Sequence, residues 1–364
     1  MNSPIDPERD PVSALAEQPV SGILPRADES GESAPSLAGE GFLRRLYKNL
    51  ACQDLYITVY LTLMMYAVLH AKGEGRESAI RTVVFDAVFF SLGIFLTRGA
   101  ILRPGSLVSS LVYRLTVFFP VFFSYFQLRS ILPTVSPHSL DADLLAFDLR
   151  VFGVEPCLAW DRYVTPHTTE WFAFFYFLYF FLLCAHVLPM LFNASSRSRL
   201  AHFALGAMMV AGTGQLLYMV VPGYGPYHHL AGHFENPLEG GLFWRLVQAT
   251  VAAGGSQKDI FPSLHTAVPT YFAIFSYMHR RVFPFKLTWP FMAFTATQII
   301  IATMFLRWHY LIDIIAGLAL ATTAAFLSRK IVTWETERRR KIGAQPIFSL
   351  LEWPRSKAES GAGD

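Results

Sequence analysis

The chain has 364 residues, 53% of them hydrophobic and 16% charged, with a net charge of +3 and 32 phenylalanines. Soluble domains carry roughly 25% charged residues. The apolar residues gather in long runs, which excludes an ordinary soluble globular domain and points to bilayer-spanning segments. The small net charge gives no reason to expect nucleic acid. Cys52, Cys157 and Cys184 are far apart in sequence, so neither a zinc motif nor a disulfide framework is expected.

In chain order, residues 1–41 are polar and rich in Ser, Pro, Ala and Glu, and are expected to be disordered. They lack a secretory signal pattern, so the first apolar run is expected to act as an uncleaved anchor. Eight spans of about 20 residues follow. They read Leu55–Ala71, Ile80–Thr97, Leu107–Ile131, Thr169–Leu191, Leu200–Val221, His265–Val282, Leu287–Leu306 and Tyr310–Leu327. The predicted architecture is all-α: a polytopic membrane helix bundle with a six-helix core (106–328) preceded by two further transmembrane helices (42–105) and followed by a basic tail (329–364).

Two longer segments interrupt the spans. Leu132–Thr168 contains the run Leu144, Leu145, Phe147, Asp148, Leu149 and Phe152 with helical apolar spacing, the pattern of an interfacial amphipathic helix. Pro222–Leu264 opens on Pro222, Gly223, Tyr224, Gly225, Pro226, Tyr227, His228 and His229, too dense in Gly and Pro for a regular helix.

An even number of spans leaves both termini on one side. That side carries Arg44, Arg45, Lys48, Arg98, Arg103, Arg197, Arg199, Arg280, Arg281, Lys286, Arg329, Lys330, Arg338, Arg339, Arg340 and Lys341 in short stretches. The opposite side has Lys72, Arg76, Arg150, Arg162, Arg245, Lys258 and Arg307 spread over long loops. The positive-inside rule therefore predicts cytoplasmic termini, with the long loops facing the periplasm, lumen or exterior. Short loops fit a bacterial inner membrane.

The sixth span opens on Phe261, Pro262, Ser263, Leu264 and His265, and the eighth on Arg307, Trp308, His309, Tyr310, Leu311, Ile312 and Asp313. This topology brings both openings to the non-cytoplasmic face. On a helix, His309 and Asp313 share one face, one turn apart. A carboxylate there can fix the imidazole tautomer and leave the other nitrogen as a nucleophile or base. His265 can protonate a leaving oxygen. One histidine near a helix end is ordinarily an interfacial residue; the two patterns together argue for chemistry. A proton-relaying transporter and a metal site built from the two histidines and the aspartate remain alternatives.

These motifs, Phe261-Pro262-Ser263-Leu264-His265 and His309-Tyr310-Leu311-Ile312-Asp313, resemble the second and third signatures of the phosphatidic acid phosphatase type 2 superfamily. The string from Ala302 to Gly317 looks closest to its inositol phosphorylceramide synthase branch. The resemblance implies a membrane phosphotransferase or phosphatase without metal or other cofactor. His309 would form a phosphohistidine, oriented by Asp313, and His265 would protonate the leaving group and then activate the acceptor. It implies a phospholipid or lipid phosphate as substrate. The acceptor would be water or a lipid alcohol such as a ceramide or diacylglycerol, placing the protein in lipid, including sphingolipid, metabolism.

The chain departs from the family pattern where phosphate is usually clamped. Its only Arg-Pro, Arg103-Pro104, has Leu96 in place of the first motif's Lys, and Ala302 and Thr303 replace the third motif's Ser-Arg. Candidate replacements near the same membrane face are Arg307, Lys258, Tyr224, Tyr227, His228 and Ser263, the last at a helix start where anions are favoured.

Overall fold

A computed structural model describes residues 41–254 and 258–351. The tail expected to be disordered therefore lies, but for Gly41, outside the described residues.

The described chain is helical throughout, apart from turns and an isolated bridge between Gly223 and Asp259. The helices are α1 (Phe42–Asn49), α2 (Cys52–His70), α3 (Arg76–Arg98), α4 (Leu107–Phe122), α5 (Ser124–Val135), α6 (Asp141–Phe152), α7 (Pro156–Ala159), α8 (Pro166–Phe192), α9 (Arg197–Val220), α10 (Pro226–His229), α11 (Leu242–Gly254), α12 (Leu264–Met278), α13 (Phe285–Phe305) and α14 (Leu311–Ile342). Several begin at a hydroxyl the sequence supplies. Ser106, Thr165, Ser196 and Ser263 each accept the backbone N–H three residues on, capping α4, α8, α9 and α12.

Among the described residues, seven segments are long and apolar enough to cross a membrane: α2, α3, the α4–α5 run Leu107–Val135, α8, α9, α13 and α14. The chain is thus a multi-pass membrane protein. The sixth expected span is shorter than anticipated. Its helix, α12, has 15 residues, about 22 Å at 1.5 Å per residue, against roughly 30 Å of hydrocarbon. The packing explains how it can be short. Helix α12 is sheathed by α8, α9, α13 and α14, and Tyr271, Phe272 and Phe275 along it are fully buried. Protein rather than lipid surrounds it, so it need not match the bilayer.

Helices α2 and α3 pack on the outside of this core, α2 against α9 and α3 against α4. Side chains on the outer faces, such as Phe85, Val88, Phe291 and Phe294, are exposed and apolar, as a lipid-facing surface requires. Helix α14 runs past the expected end at Leu327 to Ile342. The segment after it folds back onto the bundle: Phe348 is buried against Tyr113. Arg98 and Arg114 donate to the carbonyls of Ile347 and Ser349, and Arg339 donates to that of Gln345. Asp54 at 2.8 Å from Arg98, and Glu335 at 2.8 Å from Arg339, balance two of these buried guanidinium groups.

Candidate active site

The site lies at the opposite end of the bundle from that C-terminal strap, where α12 and α14 begin side by side. The backbone N–H of Ser263 donates to the carbonyl of Asp313 at 3.1 Å, so the two motifs open at the same end. Gly317 makes the approach possible, since a Cβ there would lie 2.7 Å from the Ser263 carbonyl oxygen.

The start of α14 is held by carboxylates from helix α6. Asp148 accepts the N–H groups of Leu311 and Ile312 at 2.7 and 3.1 Å. Asp141 accepts from Tyr224 and Gly225, both at 2.8 Å, and from the Tyr310 hydroxyl at 3.0 Å. The Gly-Pro loop in turn clasps the turn before α14. Gly225 has φ +85° and packs against the Trp308 carbonyl so tightly that a Cβ would overlap it. The Tyr227 N–H donates to the Arg307 carbonyl. Arg307 itself sits in the left-handed region, at φ 67°.

His309 and Asp313 meet, though not across one turn of a helix as the spacing suggests. Helix α14 starts at Leu311, so His309 precedes its N-cap, Tyr310. Asp313 turns back from the first turn, accepting the Tyr310 N–H at 2.9 Å and lying 3.4 Å from Nδ1 of His309. Burial lowers the His309 pKa to about 4, against the opposing influence of nearby Asp259 and of a hydrogen bond to the Ile260 backbone. A neutral imidazole keeps a lone pair, as a nucleophile requires.

The His265 ring lies 6.4 Å from that of His309, centroid to centroid. Two tyrosines of α8 flank it. Tyr176 stacks at 4.3 Å and 16°, and Tyr179 sits at 4.4 Å. The Tyr176 hydroxyl is 3.5 Å from Nδ1 of His265, the outer limit of a hydrogen bond. Nε2 of His265 is buried without a partner.

The other candidate residues are placed unequally. Ser263 caps α12 and its N–H is engaged by Asp313, leaving only its hydroxyl proton to donate. Arg307 pairs with Asp161 at 2.6 Å, bonds the Asn236 carbonyl and lies over the Phe234 ring at 3.8 Å. Lys258 directs its ammonium to the carbonyls of Ser136, Pro137 and His138. It thereby closes the end of α5, all three of its donors occupied. Tyr224 stacks on His228 at 4.7 Å, and Tyr227 on Trp308 at 4.8 Å. Of the six clamp candidates, Ser263 caps a motif helix directly and Tyr227 touches the other motif turn through Trp308; Arg307 is part of that turn by its backbone but directs its side chain to Asp161, Asn236 and Phe234, and Lys258 serves another helix.

Sequence reasoning named Trp308 and Asp148 but gave them no role in the site, and it missed Tyr176, Tyr179, Asp141, Asp161 and Asp259. The aromatic residues are indistinguishable from core residues in an apolar run. The aspartates carried a signal, being acidic groups in otherwise apolar interfacial stretches, where a charge is retained only with a partner. Among the described residues, no three His, Cys, Asp or Glu side chains gather as a metal site would need.

The chain matches no curated protein and no solved structure. The family comparison does match: the profile of the PAP2 superfamily covers residues 142–327, from α6 into α14. Those 186 residues (327 − 142 + 1) are just over half of the 364, and they contain both motif turns and the helices α8, α9, α12 and α13. The chain belongs to the PAP2 superfamily, a family of membrane lipid phosphatases and phosphotransferases.

Proposed function

We propose that the protein transfers a phosphoryl or phosphate head group from a phospholipid or lipid phosphate through a covalent phosphohistidine on His309. The observation that carries this reading is the joining of His265, His309 and Asp313 at one end of the bundle, the imidazoles 6.4 Å apart with the carboxylate behind one of them.

In the first half-reaction a His309 ring nitrogen attacks phosphorus, and an N–P bond forms. The bond from phosphorus to the leaving oxygen breaks, and that oxygen takes its electron pair and a proton from His265. In the second, the acceptor hydroxyl returns a proton to His265 as its oxygen attacks phosphorus, and the N–P electron pair goes back to His309. Asp313 holds the His309 tautomer throughout.

The acceptor is water in a phosphatase and a lipid alcohol in a transferase. The string Ala302–Gly317 and the missing Lys and Ser-Arg of the first and third motifs favour a transferase resembling inositol phosphorylceramide synthase. The distribution of Lys and Arg favours cytoplasmic termini and a site facing the periplasm or lumen. We take the catalytic domain to run over residues 106–328.

The test uses purified protein in vesicles of head-group-labelled phospholipid, with and without ceramide or diacylglycerol. Release or transfer of label by the wild type, lost in His309→Ala and His265→Ala, supports the reading. Label moved equally well by both variants contradicts it. The product, free head group or a new lipid, separates hydrolysis from transfer.

A further inference from the structure

The two imidazoles of the site are supported differently. His309 has a carboxylate beside it, Asp313, 3.4 Å from Nδ1. His265, the acid of the first half-reaction, must carry a proton that it can give away, yet among the described residues no carboxylate pairs with it. Its close neighbours are aromatic rings of α8. Tyr176 stacks on the imidazole at 4.3 Å and 16°, Tyr179 lies at 4.4 Å and 42°, and Phe180 is edge-on at 6.4 Å. His309 is the nearby titratable ring of the α14 turn, at 6.4 Å. Asp259 is close enough to act electrostatically on Tyr176 and His309.

Residues 176 and 179 are three apart, so they share the face of α8 that packs on α12. Both rings are buried. Both centres lie well inside the ~6 Å at which a cation is attracted to the face of an aromatic ring, and the near-parallel Tyr176 ring presents its face to the imidazole. Its hydroxyl, 3.5 Å from Nδ1 of His265, is at the outer limit of a hydrogen bond, so the ring face is the stronger of its two contacts. Such a face stabilises an imidazolium without bringing a net negative charge. A carboxylate in its place would stabilise the imidazolium and also repel an incoming phosphate. Nε2 of His265 has no partner in the protein, which leaves the proton on that nitrogen free to move.

We propose that the ring faces of Tyr176 and Tyr179 hold the protonated form of His265, which makes these two tyrosines positioning residues for proton transfer to the leaving oxygen. This rests on the phosphohistidine reading above and adds two residues to it. As the bond from phosphorus to the leaving oxygen breaks, that oxygen keeps the electron pair and takes the Nε2 proton, and the imidazole becomes neutral. The acceptor hydroxyl returns a proton to Nε2 in the second half-reaction, and the attraction to the two faces is restored. Because the faces attract only the charged ring, the tyrosines matter in proportion to how far the leaving oxygen depends on being protonated.

The experiment follows label arriving on His309 in a single turnover of the full chain, from alkyl and p-nitrophenyl esters of one lipid phosphate labelled at phosphorus. An alkyl alcohol must be protonated as it leaves, whereas p-nitrophenol departs as a stable anion. Tyr176→Leu and Tyr179→Leu are each expected to slow labelling from the alkyl ester about tenfold, and to slow it far less from the p-nitrophenyl ester. Tyr176→Phe keeps the face and loses the hydroxyl, and is expected to retain most of the alkyl-ester rate. Pentafluorophenylalanine at position 176 keeps the shape of phenylalanine and reverses the charge of the face. It is expected to be as slow as Tyr176→Leu on the alkyl ester, and it keeps the test decisive if the leucine variants do not fold. Equal slowing on both esters in the leucine and pentafluorinated variants overturns the proposal, as does a Tyr176→Phe as slow as Tyr176→Leu, or a pentafluorinated variant as fast as Tyr176→Phe. Those outcomes leave the phosphohistidine reading standing. A wild type that turns over both esters without label on His309 overturns both.

Discussion

Asp148 holds the N-terminus of α14 from another helix: its carboxylate accepts the Leu311 N–H at 2.7 Å, two residues from His309. Helix starts leave N–H groups without intrahelical partners, and here helix α6 supplies the acceptor. The same contact that satisfies α14 therefore fixes the turn carrying the proposed nucleophile. Asp148→Ala is expected to lower stability by about 1–2 kcal/mol and turnover by about tenfold, with a smaller effect on KM. Thermal unfolding in detergent and initial rates measure both. Turnover left at the wild-type level would disconnect α6 from the site.

Glu155 makes stability depend on pH. Burial, with a further contribution from Asp148, raises its pKa to about 7, and burial raises that of Asp148 as well. Its Oε2 has no donor, and a proton held between the two carboxyls satisfies it. An unfolded glutamate has a pKa near ~4.3. The folded state therefore retains a proton that the unfolded state releases between these values. The stabilisation is complete below the unfolded value and is lost as pH rises through about 7. Glu155→Gln is expected to flatten the pH dependence of Tm over that window and to be the more stable protein at pH 8, by at most roughly 4 kcal/mol. Parallel curves for the two proteins would rule this out.

Gly225 is required twice over, by its φ of +85° and by the Trp308 carbonyl against it. Gly225→Ala is expected to cost about 1–3 kcal/mol and to displace the Arg307–His309 turn, reducing turnover at least a hundredfold. A fully active Gly225→Ala would show that the Gly-Pro loop does not position that turn.

At the other end of the bundle, Phe348 is 1% exposed and anchors the strap that receives Arg98 and Arg114. Phe348→Ala is expected to destabilise by about 3–5 kcal/mol while leaving the KM of folded protein unchanged, because the site lies at the far end. A changed KM with unchanged Tm would reverse that assignment.

What the sequence made legible follows from what each signal measures. Apolar run length reports transfer into lipid, and it located the seven long segments. It overestimated α12, whose surroundings are protein, and it stopped α14 at Leu327, although buried Glu335 and Arg339 carry the helix to Ile342. The His309–Asp313 spacing pointed to a real contact through the wrong geometry, because a capping aspartate at the third helical position reaches back as far as one helical turn would. The clamp was least legible. Whether Lys258 or Arg307 has charge to offer depends on Ser136–His138 and Asp161, more than a hundred residues away in sequence.

The most direct measurement is the chemical state of His309 during turnover. Protein quenched while processing lipid labelled at phosphorus should carry label that is stable to base, lost in mild acid and mapped to the peptide containing His309; His309→Ala should carry none. Turnover with no labelled protein at any quench time, or label on a residue other than His309, would contradict the account.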